Sequence, residues 1–379
     1  MTAFSLDPAR LAWCAELREL AARRLRPLAG KGGPGRVDRP LLAELGSLGL
    51  LSRLFASGAL DLCLMRESLA RVCTEAETAL ALQGLGAHPV HAHGTGAQRA
   101  RWLPRVADGT AVAAFALSEP GAGSDAAALS LTAEPAAGAA PGRGWRLSGE
   151  KCWISNAPDA DFYTVFARTT PGAGARGVTA FLVPADRPGL TGSRLDMLSP
   201  HPIGALAFDA VPVTADDVLG EVDRGFRVAM GTLNLFRPSV GAFAVGMAQA
   251  ALDATLAHTA RRDAFGGKLR DLQSVAHQVA EMALRTEAAR LMVYAAATAY
   301  DDGDADVPRR AAMAKLLATE TAQYVVDRAV QLHGARALQR GHLLEHLYRE
   351  VRAPRVYEGA SEVQRGIIAK ELYGNLEDR

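Results

Sequence analysis

The chain has 379 residues, 49% of them hydrophobic and 22% charged, with a formal net charge of +1. That length predicts two or three domains, each with its own core, and the composition excludes a disordered chain. The even charge balance excludes the footprint of a nucleic-acid binder, and no uninterrupted apolar run reaches the roughly 20 residues of a membrane span.

The first residues, Met1-Thr-Ala-Phe-Ser-Leu-Asp-Pro8, show no basic start followed by an apolar stretch, so no signal peptide is read and a cytoplasmic location is expected. Residues 1–112 read as helices. Asp7 caps the first, Pro8 takes its first turn, and Leu11, Cys14, Leu17, Leu20 and Leu25 form an apolar stripe. A second helix follows Pro40, and a third runs from Leu60 to Val72. Pro89 predicts a bend, and Pro104 with Gly109 predicts the end of the region. His88 and His91 would share a helix face but His93 would not, so no metal site is expected there. Cys14, Cys63, Cys73 and Cys152 make no C-x-x-C pair and read as four buried thiols of a reducing compartment.

From 113 to 221 the pattern changes to short β-like runs punctuated by Gly and Pro. These are Val112–Leu117, Trp145–Leu147, Phe162–Ala167, Val178–Val183 and Leu206–Phe208, with a hairpin loop at 134–144. From 222 to 379 the chain is helical again. Val275, Val279, Met282, Thr286, Ala289, Val293 and Tyr300 mark one long amphipathic helix; Asp306 and Pro308 start another, and Gly334 is placed to end it. The predicted fold is α+β: an N-terminal helical domain (1–112), a small central β-barrel or sandwich (113–221) and a C-terminal four-helix bundle (222–379).

Four segments carry chemistry. Ala114-Phe-Ala-Leu-Ser-Glu-Pro-Gly-Ala-Gly-Ser-Asp125 leads a strand into a glycine-rich turn whose backbone can approach a flat or phosphorylated ligand; it is neither a Walker loop nor a G-x-G-x-x-G fingerprint. In Lys151-Cys-Trp-Ile-Ser-Asn156, strand alternation places Trp153 and Ser155 on one face, as a heteroaromatic cofactor or an ordinary core would use them. Arg261-Arg-Asp-Ala-Phe-Gly-Gly-Lys268 reads as a phosphate-gripping turn or a solvated loop. In Tyr357-Glu-Gly-Ala-Ser-Glu-Val-Gln-Arg365, Ser361 and Gln364 suggest a capping box with Glu358 near a helix start.

In combination and in this order, the segments resemble the acyl-CoA dehydrogenase family. S-E-P-G-A-G-S-D and Y-E-G-x-S-E-x-Q-R resemble its two signature motifs, and K-C-W-I-S-N resembles its flavin-edge tryptophan motif. The resemblance spans the whole chain and implies FAD as cofactor. Phe115, Leu117, Ser118, Gly123 and Ser124 would line the flavin, with Trp153 beside the ring and Ser155 near N5. Arg262, Phe265 and Gln273 would reach the FAD of a neighbouring subunit, while Gln331 and Gly334 would hold the pyrophosphate. A homo-oligomer, dimer or tetramer, follows from shared sites, and electron-transfer flavoprotein is the expected electron acceptor. Ser124, Asn234, Arg237 and Gly359 match acyl-CoA-facing positions, with Asn234 replacing a more usual Asp.

Glu358 matches the family's α-proton base, placing the chain in the branch that resembles short- and medium-chain members. The position that carries the base in another branch is Phe236, which cannot serve. The activity implied is dehydrogenation of an acyl-CoA or acyl-carrier-protein thioester to the trans-2-enoyl thioester. The alternatives are a flavin monooxygenase or oxidase on the same fold and a non-catalytic thioester-binding paralogue. Leu48 to Leu62 is shorter than the family's usual segment, and Leu332-His-Gly-Ala-Arg336 and Ala360 depart from its usual residues.

Overall fold

Asp7 opens the first helix as its sequence predicts. Its carboxylate accepts from the Arg10 amide at 2.8 Å, and Pro8 occupies the first turn of α1 (Pro8–Leu20), which a π-helical turn, Ala21–Leu25, continues. The computed structural model describes residues 6–377 apart from 139, 141 and 200. Helices α2 (Arg39–Ser47), α3 (Arg53–Ala56), α4 (Ala59–Ala70), α5 (Thr74–His93) and α6 (Gly96–Ala107) follow. Pro89 lies inside α5 and Pro104 inside the last turns of α6, so neither proline ends its helix, and the region closes at 107–109 as expected. Ala87 and Val90 are fully buried around Pro89, as are Trp102 and Val106 around Pro104. That packing offsets the roughly 3 kcal/mol that an internal proline costs. Gly109, at φ +78, ends the segment.

Eight strands come next: β1 (Ala113–Ala116), β2 (Thr132–Pro135), β3 (Gly144–Ser155), β4 (Phe162–Arg168), β5 (Val178–Pro184), β6 (Leu190–Arg194), β7 (Ile203–Thr214) and β8 (Val218–Leu219). They form one sheet in the order β6-β7-β3-β2-β4-β5-β8, with β1 paired in parallel to β4. β2, β6 and β8 are too short and too poor in branched apolar residues to show in the sequence; ladder pairing to longer neighbours makes them strands. Then come α7 (Gly225–Arg261), the hairpin β9 (Asp263–Ala264) and β10 (Gly267–Lys268), α8 (Gln273–Asp301), α9 (Val307–His333), α10 (Leu343–Glu350) and α11 (Ser361–Glu377). Asp306 and Gly334 bound α9 as expected, Gly334 at φ +67. By length and composition α7 passes as a membrane-crossing helix, but 72% of its apolar window is buried in the fold, the pattern of a core helix.

Two units emerge. One takes the described residues of Met1–Arg26, Gly58–Glu77 and Asn234–Arg379. Apart from the β9–β10 hairpin it is helical: α9 packs on α8 and α11, α4 on α8 and α1 on α4, around Phe243, Met247, Met282, Val293 and Val326. The other unit, Pro27–Ser57 with Thr78–Leu233, holds the sheet. Within it Trp102 meets Phe162 with ring centroids 4.6 Å apart, and Phe115 meets Phe166 at 4.9 Å. Gln83 of α5 closes the open edge of β1: its side chain donates to Ala111 O and accepts from the Ala113 amide, both at 2.7 Å. A Cβ at Gly86 would lie 2.6 Å from the Ala114 nitrogen, so only glycine permits that approach. All four cysteines are free thiols, but Cys152 is half-buried rather than buried.

Candidate active site

In the sheet unit, β1 runs into the glycine-rich turn, and Glu119 forms the turn's buried base. Its carboxylate accepts from the Ser130 amide (2.6 Å), the Ser130 hydroxyl (2.8 Å), the Leu131 amide (2.9 Å) and the Lys151 ammonium (2.8 Å). Lys151, also fully buried, donates to Leu117 O at 2.9 Å. Burial drives Lys151 down to about 8, against the pull of Glu119. Burial pushes the Glu119 carboxyl up, but Lys151 and the two amides outweigh it and leave it below the usual carboxylate range. Above this base, Gly121 and Gly123 have open space where a Cβ would stand. Gly123 and Ser124 are exposed, Phe115 and Ser118 half-buried and Leu117 buried.

The Cys152 amide donates to Ser118 O at 3.0 Å, tying β3 to the same turn. Simple alternation fails along this strand. A register shift between Lys151 and Ile154 leaves both of those residues buried, and Trp153 adopts φ +57. The bulge turns the indole outward, 48% exposed, with Ser155 half-buried two residues on. This unit therefore gathers Phe115, Leu117, Ser118, Gly123, Ser124, Trp153 and Ser155 on one turn and one strand end.

In the helical unit, Glu358 lies in the turn before α11 with φ +52, followed by Gly359 at φ +96. The predicted capping box does not form. Ser361 Oγ donates instead to Glu320 Oε1 of α9 at 2.6 Å, and Gln364 Nε2 donates to the carbonyls of Glu358 (3.2 Å) and Gly359 (2.9 Å). The left-handed pair turns these carbonyls back toward the helix start, where the side chain of Gln364 reaches them first. Arg237 Nε also donates to Glu358 O, at 3.2 Å, and Lys315 Nζ to Gly359 O, at 2.6 Å. Asn234 Oδ1 accepts from Arg237 at 3.4 Å. The backbone of the turn is thus held from α7, α9 and α11.

The side chain of Glu358 is not held in the same way. Its Oε2 is buried without a hydrogen-bond partner, and no described hydrogen bond reaches either carboxylate oxygen. Burial pushes its carboxyl above the usual carboxylate range, opposed by the charges of Arg66, Lys315 and Arg237. Burial also brings Lys315 down to about 8, with Glu358 opposing. Arg66 of α4 is itself buried, paired to Glu77 and donating to Ser239 Oγ at 2.7 Å.

The remaining candidates sit elsewhere in the helical unit. Phe265 caps the β9–β10 hairpin at φ +53 and is 90% exposed, with Arg262 and Gln273 exposed nearby in sequence. Gln331 and Gly334 are exposed at the end of α9, and open space surrounds the Cβ position of Gly334. Phe236 is buried in α7 and offers no base.

Three family profiles match the chain: "Acyl-CoA dehydrogenase, N-terminal domain" over residues 8–110, "middle domain" over 114–211 and "C-terminal domain" over 223–373. The cyclohexane-1-carbonyl-CoA dehydrogenase of Geobacter metallireducens is 33% identical over 369 residues, covering 94% of this chain and 95% of its own. The chain belongs to the acyl-CoA dehydrogenase family. The mitochondrial short-chain specific acyl-CoA dehydrogenase of Bos taurus is 35% identical over 367 residues, covering 94% of this chain and 88% of its own. The structure of butyryl-CoA dehydrogenase from Megasphaera elsdenii superposes with a TM-score of 0.90 at 31% identity, covering 98% of this chain and 99% of that one. Acyl-CoA dehydrogenases are FAD-binding oxidoreductases, and this protein is an enzyme of that class. In the sheet unit, open backbone at Gly121 and Gly123 and a half-exposed indole fit such a cofactor; in the helical unit, so does the open backbone at Gly334, and Oε2 of Glu358 is buried with no hydrogen-bond partner.

Sequence reasoning missed Glu119, Lys151, Arg66, Glu77, Lys315 and the role of Gln364. One signal was legible. Arg66 interrupts the apolar run Leu62-Cys-Leu-Met65, and a charge at a buried helix position needs a partner.

Proposed function

We propose that this enzyme dehydrogenates an acyl-CoA or acyl-carrier-protein thioester to the trans-2-enoyl thioester, with Glu358 as the base that removes the α-proton. The observation that carries this reading is the Glu358 carboxylate: its Oε2 is buried, it accepts no described hydrogen bond, and burial raises it above the usual carboxylate range. A carboxylate already saturated with donors would hold its charge too tightly to accept a carbon-bound proton. When bound, FAD supplies the acceptor for the β-hydride at flavin N5. Arg237, Lys315 and Gln364 fix the peptide that carries the base. The Glu358 amide takes part in no described hydrogen bond and is available to a thioester carbonyl whose charge grows as the proton leaves.

The other roles form part of the same proposal. Phe115, Leu117, Ser118, Gly123, Ser124, Trp153 and Ser155 line the flavin, and Gln331 with Gly334 holds the pyrophosphate. Arg262, Phe265 and Gln273 reach the FAD of a second copy, which makes the working form a homo-oligomer. Ser124, Asn234, Arg237 and Gly359 face the acyl-CoA. The division at 112/113 and 221/222, a cytoplasmic location and electron-transfer flavoprotein as acceptor complete the reading. Around 80–95, α5 contributes to the acyl site. There Phe55, His91 and His88 form a ring cluster with centroids 5.5 and 6.0 Å apart, and burial holds His88 down to about 4, so it is neutral at working pH. Neutral imidazoles support a short or functionalised acyl group.

Anaerobic addition of acyl-CoA and acyl-carrier-protein thioesters to the yellow protein tests the proposal. One of them bleaches the flavin, and Glu358→Gln keeps the flavin but abolishes bleaching. Bleaching by Glu358→Gln at a comparable rate removes Glu358 as the base.

A further inference from the structure

We propose that Arg66 is a positioning residue for the base: held by Glu77 and Ser239, its guanidinium acts through space to keep the Glu358 carboxylate ready to accept a proton. This rests on the reading of Glu358 as the base. The geometry begins with what each cation near Glu358 does with its donors. Arg237 and Lys315 donate to the backbone carbonyls of Glu358 and Gly359. Arg66 donates to Glu77 Oε1 and, at 2.7 Å, to Ser239 Oγ. Ser239 Oγ in turn donates to Phe236 O at 2.7 Å, and Arg237, which with Pro238 lies between those two residues, reaches the Glu358 turn. The Arg66 guanidinium is therefore locked to the stretch of α7 that holds the base.

None of the three cations hydrogen-bonds to the carboxylate. That distinction matters chemically. A donor on Oε2 would occupy the lone pair that must take the proton. A fixed charge nearby stabilises the anion and leaves the lone pair open. Arg66 is the strongest of the three influences opposing burial at Glu358, ahead of Lys315 and Arg237. It is also more durable than Lys315, which is itself pulled down to about 8, because a guanidinium stays charged. Glu77 makes the arrangement tenable, because an unpaired buried arginine would be expelled or would destabilise the fold. A buried ion pair is seldom needed for stability, as apolar residues of equal volume serve at least as well. Its attachment to the stretch of α7 that holds the Glu358 turn therefore points to electrostatics. The other ionisable groups facing this cluster are Tyr357 on the same turn, Glu350 near Tyr357, and Glu320 and Glu362 near Lys315.

The test is an infrared pH titration of the full-length, flavin-loaded protein. It reads the carbonyl stretch of protonated Glu358, assigned by its loss in Glu358→Gln. In Arg66→Met the midpoint moves to higher pH, and the rising limb of the bleaching rate against pH moves with it. Arg66→Lys brings both back toward wild type. Ser239→Ala, which frees the guanidinium from α7 without removing charge, moves the midpoint in the same direction by less and serves where Arg66→Met does not fold. An unchanged midpoint in folded Arg66→Met, or in Ser239→Ala where that variant stands in, overturns the proposal. A midpoint that moves while the bleaching limb stays still leaves the action of Arg66 on Glu358 intact and instead removes Glu358 as the base.

Discussion

Glu358 and Gly359 are consecutive left-handed residues, at φ +52 and +96. For the glutamate this costs about 1–2 kcal/mol, and the hydrogen bonds from Arg237, Lys315 and Gln364 to the two carbonyls hold it in place. The charge adds to the cost. Burial raises the folded carboxyl above its ordinary value of 4.5, so the folded state binds more protons than the unfolded one between the two values. The group's stabilising contribution is thus fully present below 4.5 and is lost as pH rises through the folded value. Glu358→Gln keeps the shape and cannot ionise. Its Tm at neutral pH should equal or exceed that of wild type, with the difference closing as pH falls toward 4.5. Scanning calorimetry across that range checks this, and a clearly lower Tm at neutral pH would contradict it. The motif shows that a glutamate belongs at this position, but the neighbours that strain and charge it are far away in the chain.

At the scale of elements, the glycine-rich turn is held by a buried ion pair. Lys151 on β3 and Glu119 in the turn are 2.8 Å apart and almost wholly covered. Lys151→Met strands a buried carboxylate and should cost about 3–5 kcal/mol of stability, read as a lower midpoint in urea. The double variant Lys151→Met/Glu119→Gln should recover part of that loss, because the uncompensated charge is gone. If the double variant is no better than the single one, the cost lies in packing. This pairing was not legible from the motifs, since Glu119 and Lys151 each sit inside a signature that drew attention to its glycines and its tryptophan. Trp153 shows the same limit: period-2 alternation is the right prior for a strand, and one bulge is enough to re-aim the ring.

For the whole molecule, Phe265 at the tip of the β9–β10 hairpin is the most exposed large hydrophobic side chain among the described residues, at 90%, and is left-handed at φ +53. The proposed role of Phe265 at the FAD of a second copy is tested at this residue. Phe265→Ser should leave the circular dichroism unchanged while lowering the flavin-to-protein ratio after gel filtration. An unchanged ratio together with an unchanged oligomeric state, measured by light scattering, would remove the shared-site reading.

The sequence by itself determined the order of helices, sheet and helices, the cap at Asp7, the bounds of α9 at Asp306 and Gly334, and the family, because periodicity, capping and short motifs are local properties. It also pointed to Glu358. Only the tertiary structure decided that α5 and α6 run through their prolines, that Ser361 bonds to Glu320, that Trp153 turns outward, and that Arg66, Arg237 and Lys315 surround the base. Those outcomes depend on partners tens to hundreds of residues apart in sequence. Burial then multiplies the energy of each charge and hydrogen bond beyond what any local pattern carries.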